Sequence, residues 1–248
     1  MLRKLTNRIF YLPACEQGDR PALAYLAGER ASLMVDAGNS PAHARLFLSA
    51  LGQQGLTAPD YIALTHWHWD HCFGLAALKG ASLCSMETNA RLAEMAHWKW
   101  DDASMAQRLR DGTEIPFCDE NIKKEYANRE EIAVRAADIA FSGALSLDLG
   151  GMTAQLLPLP NSHAAGSLAV FVPEERALIL GDIICEDYYG SNPPAHDPEK
   201  LAQMIKEMEA LDFNIALYGH GEPATDSKKE LLEYLKKELT ACSVPREL

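Results

Sequence analysis

The chain has 248 residues, of which 48% are apolar and 23% are charged, and its formal net charge is −12 at pH 7. This composition excludes a disordered or fibrous chain and leaves ample length for a buried core. We expect one large domain. Because 35 acidic residues stand against 23 basic ones, binding to nucleic acid or to an anionic membrane is disfavoured.

The six cysteines show neither a C-x-x-C pair nor the dense spacing of a small disulfide-linked domain. We therefore expect free thiols. Residues 1–20 have a basic start but no apolar core of signal-peptide length, and no segment approaches the roughly 18 consecutive apolar residues of a membrane span. These features predict a cytoplasmic protein.

Short apolar runs near the amino terminus predict strands, because each run ends at Pro, Gly or a charged residue. They cover residues 8–14, 22–28 and 31–38. A helix is predicted next, over residues 40–55. Ser40 can cap its first turn, Pro41 suits its first position, and Gly52 or Gly55 can end it.

A further buried strand is predicted over residues 59–66, and a helix is predicted over residues 72–80. The polar stretch between them lies at the C-terminal end of a strand, where open α/β sheets usually place their chemistry. Residues 87–141 differ in character, because they consist of charged, helical segments. This region indicates a helical insertion into the domain.

Strand patterns return after the insertion, and their short turns predict an antiparallel meander that forms a second layer. They cover residues 143–160, 166–175 and 176–184. The remaining predicted elements are a helix after Asp197-Pro198, a strand over 213–221 and a helix over 225–239.

The stretch LTHWHWDHCFGL, residues 64–75, contains three histidines and an aspartate within six positions. Neutral imidazole and deprotonated carboxylate are usual ligands of a borderline divalent cation. The stretch therefore predicts a metal site with the ligands His66, His68, Asp70 and His71. The alternative is a polar surface loop, which suits a lone histidine better than a cluster that follows an apolar run.

Three more side chains of ligand type follow β-like apolar runs, namely His163, Asp182 and His220. Because the ends of strands can converge at one edge of a fold, these residues are candidates for the same site. Taken singly, each has a structural alternative. The histidines can be capped loop residues, and Asp182 can be a turn residue beside Gly181.

The motifs stand in an order that resembles the metallo-β-lactamase superfamily, over nearly the whole chain apart from the helical insertion. They are VDAG with Asp36, THWHWDH, HAAGS with His163, GD with Asp182 and GHGEP with His220. The resemblance implies an α/β (α+β) fold, a four-layer αβ/βα sandwich with two metal ions in a cleft at its edge.

The resemblance also implies a role for each ligand. One metal ion would be held by His66, His68 and His163. The second would be held by Asp70, His71 and His220. Asp182 would bridge both ions, and Asp36 would support the metal-binding residues through hydrogen bonds.

A site of this kind keeps coordination positions open, which a catalytic site requires and a closed structural site does not. A hydroxide shared by two cations would be the nucleophile, and Asp70 would orient it. Zinc is the expected metal, with iron or manganese as alternatives. We expect a hydrolase of a small-molecule ester, thioester or lactone. The alternatives are a phosphodiesterase, a mononuclear iron dioxygenase and a metal-binding protein without turnover.

Departures from the family pattern leave the subfamily open. Zinc β-lactamases usually have Cys or Ser at the motif where this chain has Asp182, so antibiotic hydrolysis is disfavoured. No lysine follows soon after Asp182 to meet a glutathione carboxylate, as in glyoxalase II. Cys185 stands where quorum lactonases have a tyrosine.

Aromatic residues near the motifs are candidates for substrate contacts. Tyr188 and Tyr189 could donate a hydrogen bond to a developing oxyanion, or they could anchor their loop by packing. Trp67 and Trp69 are expected to pack under the metal-binding residues. His196 is expected to face solvent in a turn.

The helical insertion could form a lid, because its large apolar side chains suit an adaptable wall over the metals. These side chains are Met86, Met95, Trp98, Trp100 and Met105. The alternative is that they pack the insertion's own helices or the interface of a homodimer.

Overall fold

The computed structural model describes residues 1–242. Within these residues the first of two sheets has seven strands, which lie side by side in chain order. They are β1 (Arg3–Lys4), β2 (Ile9–Leu12), β3 (Leu23–Ala27), β4 (Ser32–Val35), β5 (Tyr61–Ala63), β6 (Ala81–Ser85) and β7 (Ile139–Phe141). β1 to β4 are antiparallel and β4 to β7 are parallel. The three strands predicted near the amino terminus are confirmed as β2, β3 and β4.

The second sheet has six strands over the same residues, in the order β13-β12-β11-β10-β9-β8. They are β8 (Leu145–Asp148), β9 (Thr153–Pro158), β10 (Leu168–Val172), β11 (Ala177–Gly181), β12 (Ile215–Tyr218) and β13 (Thr225–Ser227). β8 to β11 pair antiparallel, which confirms the predicted meander. β12 then runs parallel to β11 after a helical crossover.

Helices cover the outer faces of both sheets. They are α1 (Pro41–Gln53), α2 (Trp69–Cys72), α3 (Met86–Met95), α4 (Asp102–Asp111), α5 (Pro116–Glu125), α6 (Pro198–Ala210) and α7 (Lys228–Cys242). Apolar side chains such as Leu26 and Val170 fill the space between the sheets. Phe47 of α1 belongs to a cluster on the outer face of the first sheet, and Met208 of α6 and Leu235 of α7 belong to one on the second. The fold is therefore the expected four-layer αβ/βα sandwich.

The start of α1 shows how local sequence sets an element. Ser40 is extended, and its hydroxyl oxygen accepts a hydrogen bond of 3.0 Å from the backbone N–H of His43. Pro41 occupies the first helical position, where no backbone N–H is needed. Both predictions are confirmed, and α1 buries Phe47 and Leu51 against the sheet.

The last helix begins later than predicted. Residues 225–227 pair with β12 as β13, and α7 starts at Lys228. Ser227 and Glu230 set this start, because the Ser227 hydroxyl accepts from the Glu230 N–H while the Glu230 carboxylate accepts from the Ser227 N–H. As a result, α7 begins three residues after Thr225, the first residue of the predicted helix.

The predicted helix over residues 72–80 is also different in the structure. The short helix α2 begins at Trp69, and a 3-10 helix over Phe73–Ala77 replaces the rest. Gly74 explains the tight path, because its N–H donates to the carbonyl oxygen of Gly38 at 2.8 Å. A Cβ atom at Gly74 would lie 2.0 Å from the carbonyl oxygen of Ala37.

Residues 87–141 contain most of α3 and all of α4 and α5, so the region is helical for most of its length. Its carboxyl-terminal end is an exception to the prediction. Ile139–Phe141 form β7, which pairs with β6 in the first sheet. The helical segment therefore returns into the sheet at its end.

Within residues 1–242, none of the helices is both long enough and apolar enough to cross a lipid bilayer. All six cysteines are free, as the sequence predicts.

Two glycine substitutions are expected to have opposite effects on stability. Gly52→Ala should raise the free energy of unfolding by about 0.5–1 kcal/mol, because Gly52 lies inside α1 and an added Cβ meets nothing within 4 Å. Gly74→Ala should lower it by about 1–3 kcal/mol through overpacking against Ala37. Urea denaturation measures both, and equal effects of the two substitutions would contradict this packing.

Candidate metal centre

The candidate ligands lie just beyond the carboxyl ends of strands from both sheets. The loop and short helix of residues 64–72, which we call the metal loop, follow β5. His163 follows β9, Asp182 follows β11 directly, and His220 lies two residues beyond β12. Because β11 and β12 are parallel neighbours, Asp182 and His220 leave the second sheet at the same edge.

The structure brings all seven sequence-predicted residues together in two groups. The first consists of His66, His68 and His163. The second consists of Asp70, His71, Asp182 and His220. Within each group the candidate ligand atoms lie within 4.8 Å of one another. Each group can therefore hold one cation.

The interatomic distances fit shared coordination. A tetrahedral metal ion with bonds of about 2.1 Å places its ligand atoms about 3.4 Å apart. The Nε2 atoms of His66 and His163 are 3.3 Å apart. Asp182 Oδ2 lies 3.4 Å from Nε2 of His71, 3.5 Å from that of His220 and 3.8 Å from that of His163. Asp182 therefore stands between the two groups.

Unpaired buried atoms also fit a bound ion. His68 Nε2 and Asp182 Oδ1 are buried and have no hydrogen-bond partner among residues 1–242. Buried polar atoms are usually satisfied by protein, water or an ion.

The first group is electrically suited to bind a cation. Burial lowers the pKa of His66 and His68 well below the usual imidazole value, and it also lowers the pKa of His163. These rings are neutral at pH 7. Their free lone pairs are therefore available as ligands.

The second group mixes carboxylates and imidazoles that stabilise one another's charged forms. Burial by itself would lower the pKa of His220, but Asp182 and Asp70 outweigh it and raise that pKa to about 9. The pKa of His71 is raised in the same way by Asp70 and Asp182, while both carboxyl groups have pKa values below their usual range. A cation entering this group displaces protons from its imidazoles.

Asp36 supports the metal loop, as the family resemblance implies. Its carboxylate accepts hydrogen bonds from the Thr65 N–H at 2.7 Å, the Thr65 hydroxyl at 2.9 Å and His71 Nδ1–H at 2.7 Å. Since the single hydroxyl proton of Thr65 goes to Asp36, the Thr65 oxygen accepts from Nδ1–H of His66 at 3.0 Å. The network thus keeps a proton on Nδ1 in both rings and leaves Nε2 as the atom that can bind a cation, once the cation has displaced the second proton of His71.

Asp19 was missed by the sequence analysis. Its Oδ1 atom lies 3.6 Å from Nδ1 of His220, on the side of the ring away from Asp70. Burial and the neighbouring Asp70 raise the pKa of Asp19 to about 7. The residue has a positive φ of 53° in a loop without a recognisable motif, so no sequence pattern indicates this contact.

Gly219 allows the second sheet to close on the site. A Cβ atom there would lie 2.0 Å from Asp182 Oδ1. The Gly219 N–H donates to the Gly181 carbonyl oxygen at 2.9 Å. A side chain at Gly219 would therefore displace the carboxylate that stands between the two groups.

A cavity of about 730 Å³ opens onto both groups. Its floor contains His68, Asp70, His163, Asp182 and His220. Its walls come from the loop before β3, from α5 and the residue before it, from the loop after β11 and from the residues after His220. The candidate ligands are therefore accessible to a small molecule.

The sequence matches the family model of the metallo-beta-lactamase superfamily over residues 17–220. The chain belongs to the metallo-β-lactamase superfamily. Most members of this superfamily are metal-dependent hydrolases, and the His/Asp cluster suits such a fold.

Solved structures agree with this superfamily fold. A metallo-beta-lactamase from Pontibacter korlensis is 14% identical with a TM-score of 0.68, covering 97% of this chain and 98% of its own. A metallo-beta-lactamase family protein from Thermus thermophilus is 20% identical with a TM-score of 0.65, covering 96% and 81%. A double mutant of the sec-alkyl sulfatase PisA1 is 12% identical with a TM-score of 0.71, and the match covers 96% of this chain but 41% of that protein.

The two tyrosines after β11 have different environments in this superfamily member. Tyr188 is 43% exposed at the cavity, and its hydroxyl lies 3.4 Å from a Glu186 carboxylate oxygen. Tyr189 is more deeply placed, and its hydroxyl donates to the buried Glu114 carboxylate at 2.8 Å. Its ring lies 5.2 Å from that of His68. Tyr189 therefore joins the helical segment to the metal loop.

The structure corrects the expectation for His196 and shows how Trp67 and Trp69 pack. His196 is buried, with 8% exposure, and does not face solvent, because its loop packs beside residue 162. Trp69 is buried and packs on Phe73, as expected. Trp67 is half-buried, and its ring contacts that of His68 at 4.4 Å.

The predicted apolar wall is formed by different residues. Trp98 and Trp100 lie outside the cavity lining, in a stack in which tryptophan rings and guanidinium groups alternate. Its members, in spatial order, are Trp67, Arg91, Trp98, Arg108 and Trp100, with each guanidinium carbon 4.7–4.9 Å from the two adjacent rings. Met95 and Met105 are buried in the core, and Met86 is 51% exposed. Trp98 and Trp100 therefore pack the helical segment, because cation–π contacts hold them to Arg91 and Arg108.

We expect metal analysis after gentle dialysis to find about two divalent ions per chain. Asp182→Ala should reduce this content more than Asp36→Ala, because Asp182 reaches both groups, whereas Asp36 acts indirectly by orienting His71 and, through Thr65, His66. Loss of such an orienting partner typically lowers metal affinity about 10- to 100-fold. Asp212→Ala, at an exposed ion pair with Arg176, is the control. Fewer than one ion per chain in folded wild-type protein would contradict the two-group site.

Trp98→Ala should lower the free energy of unfolding by about 2 kcal/mol and leave metal content unchanged, because Trp98 stacks on Arg91 and Arg108. Phe117→Ala is the matched control, since Phe117 is 55% exposed in the cavity lining and should change stability by less than about 0.5 kcal/mol. Equal losses in thermal or urea unfolding would argue against the stack.

Proposed function

We propose that the protein is a dinuclear metal-dependent hydrolase of a small-molecule ester, thioester or lactone, with zinc as the metal. The observation that carries this proposal is the position of Asp182, whose Oδ2 atom lies within 3.8 Å of histidine nitrogens from both groups. This carboxylate is also part of the cavity floor. A closed structural site would lack such access.

Bound divalent ions would lower the pKa of coordinated water and polarise a substrate carbonyl group. The residues of the chain would bind the ions and orient the ligands. The neutral rings of the first group and the mixed carboxylates and imidazoles of the second would each hold one ion, and five of these seven residues line the cavity floor. Asp36 and the Glu186 carbonyl, which accepts from Nδ1–H of His163 at 3.0 Å, fix the orientation of the rings.

Asp70 is the proposed proton acceptor and positioning carboxylate for the attacking water. Its Oδ2 atom lies 3.0 Å from Nε2 of His71 and 3.0 Å from Nε2 of His220, and the residue also lines the cavity. It therefore contacts both the second group and the space for a substrate.

Tyr188 is the proposed donor to the developing oxyanion. Its ring centroid is 6.0 Å from that of His163. The raised pKa of about 12, caused first by burial, keeps its hydroxyl protonated at neutral pH. Its long contact with Glu186 leaves the O–H group able to turn towards a substrate.

The acidic composition supports a small molecule, rather than nucleic acid or an anionic membrane, as the partner. We also propose that the protein is cytoplasmic. It could form a homodimer, because one chain supplies all the candidate ligands and the site does not need a second copy. The competing functions are a phosphodiesterase, a mononuclear iron dioxygenase and metal binding without turnover. Metal analysis distinguishes an iron dioxygenase from a zinc hydrolase. Comparing the hydrolytic activity of metal-loaded and metal-free protein distinguishes a hydrolase from a metal-binding protein without turnover.

Metal-loaded protein should hydrolyse generic esters faster than metal-free protein, and Asp70→Asn should lower kcat by roughly 10²-fold at full metal content. The loss follows because an amide cannot accept the proton. Asp212→Asn, remote and exposed, should leave kcat unchanged. Equal hydrolysis by metal-loaded and metal-free protein would reject the hydrolase, whereas unchanged kcat in Asp70→Asn would reject only the role of Asp70.

A further inference from the structure

The walls of the cavity differ in character from its floor. One part of the lining is apolar or aromatic and consists of Ile115, Phe117 and Cys118 at the start of α5, together with Tyr188 from the loop after β11. Phe117 is 55% exposed and Tyr188 is 43% exposed, although both are large apolar or aromatic side chains. Exposed aromatic groups beside a polar floor are typical of a binding cavity.

The apolar wall is fixed to the scaffold. The guanidinium group of Arg20 donates to both carboxylate oxygens of Glu125, at 3.0 and 2.9 Å, and so ties the end of α5 to the loop before β3. The hydroxyl of Tyr126 donates to the Asn39 carbonyl oxygen at 3.0 Å. The wall is therefore already built before a ligand arrives.

The outer lining of the cavity carries mostly negative charge. Besides the floor residues, its carboxylates are Glu16, Asp19, Glu120 and Glu222, and its single ammonium group belongs to Lys124. We call Glu16 and Glu120 the acidic rim, because both are exposed and, unlike the exposed Glu222, neither forms an ion pair within residues 1–242.

The two carboxylates of the acidic rim differ from Glu222 and Asp19, each of which has a basic side chain beside it. Glu222 pairs with Arg3 at 2.8 Å, and Asp19 faces His220. Neither Glu16 nor Glu120 forms an ion pair among residues 1–242. Lys124 donates to the Asn121 side-chain oxygen at 3.1 Å.

The floor and the rim act on different ends of a substrate. Two divalent ions at the floor would attract the reacting group and offset Asp70 and Asp182. They would not remove the charge of the rim, and Glu16 and Glu120 would lie near any part of a bound substrate that extends outward from the floor. A negative charge there meets like charge, and an apolar chain meets Phe117.

Resting on the proposed hydrolase function, we propose that the substrate carries an apolar tail without negative charge, which lies along α5 between Phe117 and Tyr188. The acidic rim excludes substrates whose tail ends in a carboxylate or phosphate. Neutral and cationic tails are accepted.

The test uses ligands with one metal-binding group and different tails. Hexanohydroxamic acid, 6-aminohexanohydroxamic acid and adipic monohydroxamic acid have similar length but a neutral, a cationic and an anionic end. Calorimetric titration of zinc-loaded protein should show binding of the first two at least about 10-fold tighter than binding of the third. Equal or tighter binding of the anionic compound would overturn the proposal.

Variants assign the preference to the rim and the wall. Glu16→Gln combined with Glu120→Gln should reduce the discrimination against the anionic tail to about 2-fold. Glu130→Gln, at an exposed glutamate outside the cavity lining, should preserve it. Phe117→Ala should weaken binding of hexanohydroxamic acid by about 10-fold and leave acetohydroxamic acid unchanged. Discrimination that survives the double substitution would overturn the role of the rim.

Hydrolysis of the corresponding p-nitrophenyl esters separates the two proposals. Tail preference in binding without metal-dependent hydrolysis would reject the hydrolase and support the tail site. Metal-dependent hydrolysis with equal binding of all three hydroxamic acids would support the hydrolase and reject the tail site.

Discussion

The carboxylate of Asp36 is the constraint on which the candidate metal centre depends. It lies at the end of β4, in a left-handed conformation with φ of 62°, and is 2% exposed. By accepting three hydrogen bonds from Thr65 and His71, it fixes the metal loop against the first sheet and orients two imidazole rings. A positive φ at a non-glycine residue costs free energy, and this network offsets it. The arrangement of the other ligands is built around these rings.

The second sheet completes the centre. Asp182 and His220 leave the neighbouring parallel strands β11 and β12, and Gly219 permits their close approach to the metal loop. The two ligand groups therefore exist only when both sheets pack together around the apolar layer between them. A cation bound at this junction would stabilise the folded state, because the unfolded chain has no comparable cluster.

Chemistry and specificity occupy different parts of the molecule. The reactive side chains lie on the edges of the sheets, where they are fixed by hydrogen bonds. The apolar wall of the cavity comes instead from α5, which lies between β6 and β7 in the chain. This division is common where one scaffold supports several activities. In this protein, α5 and the acidic rim give the cavity its apolar and acidic lining. The stack around Trp98 holds the helices in place.

The sequence by itself determined the elements that depend on local signals. Short apolar runs and the residues that end them predicted β2 to β4, the Ser40 cap predicted the start of α1, and the ordered histidine and aspartate motifs predicted which residues would meet. Only the tertiary structure decided that α5, rather than Trp98 and Trp100, lines the cavity. It also revealed the contact of Asp19 with His220 and the bond between Tyr189 and Glu114, which are 75 residues apart in the chain. Periodicity and capping report on neighbours within a few residues, whereas these contacts arise from how distant segments pack, which no local pattern encodes.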